Sequence, residues 1–196
     1  MLVCSAANLV FLAVPKTGST AIEVALMKHA DIVFGKGRKH MTARRYHQII
    51  APFLNDTLGV RPQTMAVIRD PVERLRSWYR FRHRSDAEHS TRQLSFDAFI
   101  RDVISDNPPT HAQVGNQHDF VCDSDGTVLV DHLFAYERQP ILRDFLSKRI
   151  GAALTFKVKN VSPDVPTPAL PETLNALRSA RAEEFDLYDK VRNATY

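Results

Sequence analysis

The residues able to do chemistry concentrate in two short stretches. The first is VFLAVPKTGST, residues 10–20, where an apolar run stops at Pro15 and Lys16, Thr17, Gly18, Ser19 and Thr20 follow. One ammonium group, three hydroxyls and a glycine that lets a ligand approach the backbone are the ingredients of a phosphate cradle. The second is TMAVIRDPVERLRSWYRF, residues 64–81, in which Arg69 ends an apolar run and Ser77 follows about two helical turns later. The guanidinium of Arg69 offers a planar fork of donors to a phosphate, which a lysine would not reproduce.

Each stretch implies the elements that position it. Val10 to Val14 is a run of strand length, apolar throughout, as a strand buried on both faces requires. Ser19 or Thr20 then caps a helix beginning near Ala21, with Ile22, Ala25, Leu26 and Ala30 at helical spacing on its inner face. Backbone N–H groups at such a helix start are unpaired and partly positive, so an anion placed there meets donors already aimed at it. The loop is not a Walker A motif, because Lys16 precedes its only glycine, and this weakens an NTPase reading.

In the second stretch, Met65 to Ile68 reads as a strand and the helix signal is complete. Asp70 serves as N-cap, Pro71 takes the first helical position and Glu73 stands where a capping-box carboxylate belongs. If the two strands are parallel neighbours, Arg69 and the Lys16 loop open into one crevice at their carboxyl ends. The arginines at 74, 76, 80, 82 and 84 fall on several faces, and most of them read as solvated surface rather than a nucleic-acid stripe.

The remaining chain is consistent with one α/β domain over residues 1–196 built on a mainly parallel sheet. Its 44% hydrophobic and 24% charged residues suffice for a core, and a net charge of +4 favours an anionic ligand without arguing for nucleic acid. Two cysteines without CxxC spacing fit a reducing compartment, and no apolar run reaches membrane-spanning length, so a soluble, cytoplasmic protein is expected. Ile32 to Phe34 reads as a short strand, followed by a basic loop through Gly35, Lys36, Gly37, Arg38 and Lys39 that ends at His40. Thr42 then caps a helix carrying Tyr46, Ile49, Ile50 and Phe53. Residues 95–105 read as a helix with Phe96, Phe99, Ile100 and Val103 inward, and residues 107–126 as irregular chain. His111, His118, Asp119 and Cys122 lack the spacing of a metal site, and no metal is expected. A strand within 128–137, a helix over 141–150, a short strand at 156–160 and one or two closing helices with Leu174, Leu177, Phe185, Tyr188 and Val191 complete the pattern.

Taken jointly, PKTGST and RDPVERLRSWY resemble the two nucleotide signatures of sulfotransferases that use 3′-phosphoadenosine 5′-phosphosulfate, most closely the carbohydrate-type branch. Asn116-Gln117, Tyr136-Glu137, KNVS at 159–162 and the EEFDLYDKV end resemble that family more weakly. The resemblance implies a three-layer, P-loop NTPase-like sulfotransferase fold. It implies that Lys16, Thr17, Gly18, Ser19 and Thr20 hold the 5′-phosphosulfate end, that Arg69 and Ser77 hold the 3′-phosphate, and that adenosine 3′,5′-bisphosphate is the product. The acceptor it implies is a hydroxyl, on a carbohydrate or glycoconjugate.

Sulfuryl transfer needs charge stabilisation on the leaving oxygen, which Lys16 can supply, and a base for the acceptor proton. Relatives place a Glu or His in the loop after the first helix, where this chain has His40; His47 and Glu23 are the alternatives. A nucleotide kinase or NTPase of the same fold, or a noncatalytic nucleotide-binding module, stands beside the transferase reading. Acceptor choice resides in loops 35–40, 85–93 and 107–126.

Overall fold

In the computed structural model, which describes residues 1–85, 87–157 and 164–194, five strands form one mixed sheet. The strands are β1 (Leu2–Cys4), β2 (Leu9–Leu12), β3 (Ile32–Val33), β4 (Gln63–Ile68) and β5 (His132–Ala135), in the order β3-β1-β2-β4-β5. Strand β1 is antiparallel to both of its neighbours, whereas β2, β4 and β5 run parallel. Leu12 pairs with Ala66 and Ile68 with Ala135, so the segments following β2, β4 and β5 leave the sheet side by side at one edge. That edge carries the Lys16 loop, Arg69 and Tyr136.

Strand β1 is not legible in the sequence. Its three residues are too few to show a period, and a tight turn through Ser5–Ala7, closed by Asn8 at φ 49°, folds it back onto β2. The first long strand is correspondingly shorter than the apolar run, because residues 13 and 14 already belong to the exit loop. Alternate residues of β2 and β4 feed two cores, as a period of two requires. Val10, Leu12, Ala66 and Ile68 pack with Tyr46, Ile50, Leu54, Leu187 and Tyr188 on one face. Leu9, Phe11, Met65 and Val67 pack with Ile22, Leu26, Leu142 and Leu146 on the other.

The helices are α1 (Ser19–Leu26), α2 (Ala43–Arg45), α3 (Ala51–Leu58), α4 (Pro71–Arg82), α5 (Phe96–Val103), α6 (His118–Val121), α7 (Gln139–Ile150), α8 (Pro171–Ala180) and α9 (Ala182–Asn193). Thr42 caps α2 as expected, its hydroxyl accepting the Arg45 N–H at 3.3 Å. Between α2 and α3 the chain winds as a π-helical turn over Tyr46–Ile50. Pro52 has no N–H to return to the preceding turn, and the wider winding ahead of it absorbs that defect. The inner face consequently reads Ala43, Tyr46, Ile50 and Leu54, leaving Ile49 and Phe53 about half exposed, contrary to the sequence expectation. Helix α5 matches its expected inner face in full, with Ser95 accepting the Ala98 N–H. The strand expected at 156–160 is not formed over residues 156–157, and its remainder, like KNVS at 159–162, lies outside the described residues.

Candidate active site

The exit from β2 is shaped by two left-handed residues, Lys16 at φ 69° and Gly18 at φ 71°. A lysine in that region carries about 1–2 kcal/mol of backbone strain, which persists where surrounding structure enforces it. Helix α1 begins at Ser19, two residues earlier than the sequence predicts, because Gly18 rather than Ser19 or Thr20 occupies the cap position. No side-chain hydrogen bond caps this helix, and the Ala21 N–H turns back to the Gly18 carbonyl at 3.0 Å. The Thr17 side chain is fully buried and its hydroxyl donates to the Val14 carbonyl at 3.0 Å, so this hydroxyl shapes the loop. Thr20 accepts from Lys39 Nζ at 3.3 Å, and Ser19 is buried.

Lys16 reaches across to α4. Its ammonium stands 4.0 Å from the Phe81 ring centroid and 5.5 Å from that of Trp78. Phe81 is one turn beyond Ser77 on the same helix face, so Lys16 and the half-buried Ser77 share one side of α4. Burial first, and then repulsion from Arg69, Arg84 and Arg74, bring the Lys16 ammonium down to about 8. Like charges gathered around a partly buried ammonium favour an anion beside it.

Arg69 leaves β4 at the same edge. Its guanidinium lies over the Tyr136 ring, 4.7 Å from the centroid, and its Nε is buried without a hydrogen-bond partner. A buried N–H left unpaired is costly and therefore informative. Glu73 Oε2 approaches Arg69 Nη2 at 3.8 Å, a partly exposed and weak pair. The capping box at the start of α4 is half formed: Asp70 accepts the Glu73 N–H at 3.0 Å, but the Glu73 carboxylate turns to Arg76. The Asp70 N–H instead donates to Glu137 Oε1 at 3.2 Å, and Glu137 Oε2 accepts the Tyr188 hydroxyl at 2.9 Å.

Two of the five arginines, most of which read as solvated surface, are in fact interior. Arg74 is 2% exposed and donates to the carbonyls of Pro15, Val114 and Gly115. Arg82 is also buried, bonded to the Thr110 and Gln113 carbonyls. Both bind main-chain oxygens supplied by distant loops, which no local pattern announces. Tyr136 contacts Gly18 as well, since a Cβ on Gly18 would fall 2.7 Å from Tyr136 Cε2. The ring therefore joins the lysine loop to Arg69.

His40 lies at this edge too. Its Nδ1 is 2.6 Å from the Ala13 carbonyl, at the end of β2. A carbonyl can only accept, so Nδ1 carries the proton and Nε2 keeps its lone pair. Burial pulls the His40 imidazole below its ordinary value; the Ala13 bond opposes this and Lys39 adds to it. Of the alternatives, Glu23 is held in an ion pair with Lys39 Nζ at 2.5 Å. His47 Nε2 bonds to the Leu129 carbonyl, on the segment leading into β5 rather than at its carboxyl end.

His111 pairs with Asp102 at 2.7 Å, and Cys122 is buried in the core. Among the described residues no three His, Cys, Asp or Glu side chains form a metal-sized group, and no helix is long and apolar enough to cross a membrane.

At its parallel strand ends this mixed α/β sheet brings together a lysine loop, an arginine with a buried, unpaired Nε and an oriented histidine. The sequence is matched over residues 1–151 by the model of the sulfotransferase family, and the chain belongs to that family. The carbohydrate-type branch recognised in its two loops fits this family. No curated protein and no solved structure matches the chain.

Proposed function

We propose that the chain transfers a sulfuryl group from 3′-phosphoadenosine 5′-phosphosulfate to a hydroxyl of a carbohydrate or glycoconjugate. The observation that carries this reading is the set of mutually repelling cations, Lys16 and Arg69, at the ends of adjacent parallel strands, with Arg69 Nε buried and unpaired. A dianionic phosphate on Arg69 and Ser77 and a phosphosulfate on the Lys16 loop supply the missing partners. Helices covering both sheet faces support the three-layer, P-loop NTPase-like form of the fold, and contacts from α9 into the crevice wall support one domain over residues 1–196.

The donor, when bound, contributes an activated sulfuryl group on a phosphate leaving oxygen. Lys16 and the uncapped start of α1 face the charge that grows on that oxygen. Thr17, Gly18, Ser19 and Thr20 line the cradle, chiefly through their backbone N–H groups. His40 Nε2 takes the acceptor proton, and its Nδ1–H bond to Ala13 fixes the ring for that task. Asp70, the acidic residue a nucleotide kinase would need after its strand, already serves as the α4 cap. A cytoplasmic location is part of the same reading.

Calorimetry with adenosine 3′,5′-bisphosphate, AMP and ATP in the absence of Mg²⁺ tests the proposal. The bisphosphate is expected to bind most tightly, and Arg69→Ala should cost it about 1.5–3 kcal/mol while affecting AMP much less. ATP binding at least as tightly as the bisphosphate would favour the NTPase reading.

A further inference from the structure

A chain of buried polar contacts joins the two anion-binding arms behind the crevice. It starts at the lysine loop, where the Pro15 carbonyl accepts from Arg74 Nε at 3.3 Å. Arg74 Nη1 lies 3.6 Å from Glu184 Oε1, and both side chains are 2% exposed. The same carboxylate oxygen accepts the Gln117 N–H at 2.9 Å, while Glu184 Oε2 takes Arg181 at 3.3 Å.

Gln117, fully buried, then clamps Arg69 by its backbone. Its Oε1 accepts the Arg69 N–H at 2.7 Å and its Nε2 donates to the Arg69 carbonyl at 2.8 Å. This orientation of the amide is dictated by its partners, one a donor and the other an acceptor. The pair of bonds does for Arg69 what a neighbouring strand does for a ladder residue, one position after β4 ends.

Burial lowers the Arg74 guanidinium to about 10, and the adjacent Glu184 carboxylate opposes that shift. Glu184 belongs to α9, outside the family-matched residues 1–151.

We propose that Glu184 and Gln117 are positioning residues of the nucleotide site: through Arg74 they hold the Lys16 loop and the Arg69 backbone in one fixed register, so that helix α9 takes part in 3′-phosphate recognition. Neither residue touches the nucleotide. The inference rests on the proposed function for its ligand, but the register itself is measurable without one. Side chains that touch a ligand stay accurately placed only if the groups supporting them are themselves locked, and a displacement of about 1 Å costs up to about 10²-fold.

The test compares wild type with Glu184→Gln and Gln117→Leu, each confirmed folded by circular dichroism. Calorimetry gives the ratio of bisphosphate to AMP affinity, and amide hydrogen exchange without ligand gives the protection of the Arg69 N–H. Both variants are expected to lower the ratio at least about tenfold. In Glu184→Gln, Arg69 exchange should quicken while Met65 to Val67 keep wild-type rates. A lower melting temperature with unchanged ratio and unchanged Arg69 exchange would reduce Glu184 to a fold-stabilising residue and overturn the inference. If wild type shows no preference for the bisphosphate, the proposed function falls, and Arg69 exchange alone then decides the register. Should Glu184→Gln not fold, Glu184→Asp keeps the buried charge, withdraws it by one methylene and serves the same comparison.

Discussion

Tyr136 stands against Gly18 so closely that a single added carbon on the glycine would overlap the ring edge at 2.7 Å. Because Arg69 rests on the same ring, Gly18→Ala is expected to disturb both proposed phosphate sites at once. A φ of 71° adds about 1–2 kcal/mol of strain for any residue with a Cβ. Bisphosphate affinity should therefore fall further than urea-measured stability. Tyr136→Phe should keep that affinity and Tyr136→Ala should lose about 0.5–2 kcal/mol of it. Equal affinities for the Phe and Ala variants would mean that the ring is not the platform for Arg69.

Lys16 makes nucleotide binding depend on pH. Its free-state pKa is drawn down to about 8, and a bound anion favours the charged form, so binding takes up protons wherever Lys16 is partly neutral. Affinity should be level below about pH 8 and decline above it, and Lys16→Met should abolish the decline. Calorimetry in buffers of different ionisation enthalpy reads the uptake directly; none at pH 8.5 would contradict the assignment. Turnover of the Met variant should fall more than product affinity, because the charge matters most as the leaving oxygen becomes negative.

For His40, a base must be neutral to act. Its lowered pKa keeps it neutral to a more acidic pH than the ordinary 6.5, so the acid limb of turnover should lie below that value. His40→Ala should keep bisphosphate affinity, lose about 10²–10⁴-fold in turnover and lose the acid limb. His47→Ala, which removes a bond to Leu129 and an edge contact with the Tyr46 ring, should keep wild-type turnover. Near-normal turnover in His40→Ala with the limb intact would move the role to another group.

The buried Arg74 and Glu184 pair carries a stability cost when broken. Glu184→Ala leaves the guanidinium without a counter-charge and should lower unfolding free energy by about 3–5 kcal/mol, read from urea melts. Arg178→Ala, at an exposed pair with Asp189, should change it by less than about 1 kcal/mol. Comparable losses at the two sites would argue that the buried pair is no more than a surface contact in effect.

The elements that carry the candidate site were legible because they announce themselves locally. An apolar run ending at Pro15, and Asp70-Pro71 after Ile68, mark strand ends and a helix start through rules that act over a few residues. Helix α5 was readable for the same reason, its serine cap and four inward residues standing at helical spacing. The sequence was silent where long-range contacts decide. Arg74 and Arg82 look like solvent residues until carbonyls at positions 15, 110, 113, 114 and 115 surround them. Gln117 stands out in the sequence only through a weak family resemblance, and its bracketing of the Arg69 backbone is visible in the fold alone. The three-residue β1 and the winding ahead of Pro52 likewise lie below the length at which periodicity carries information.

Trp78 is the chain's only tryptophan, and the Lys16 ammonium stands 5.5 Å from its ring. The protein therefore has an optical probe beside the Lys16 loop, sensitive to a nearby positive charge. A ligand that draws Lys16 away from the indole changes the field at the fluorophore. The emission of the unlabelled chain thus records the lysine's position, and cradle occupancy can be followed by light without altering a residue.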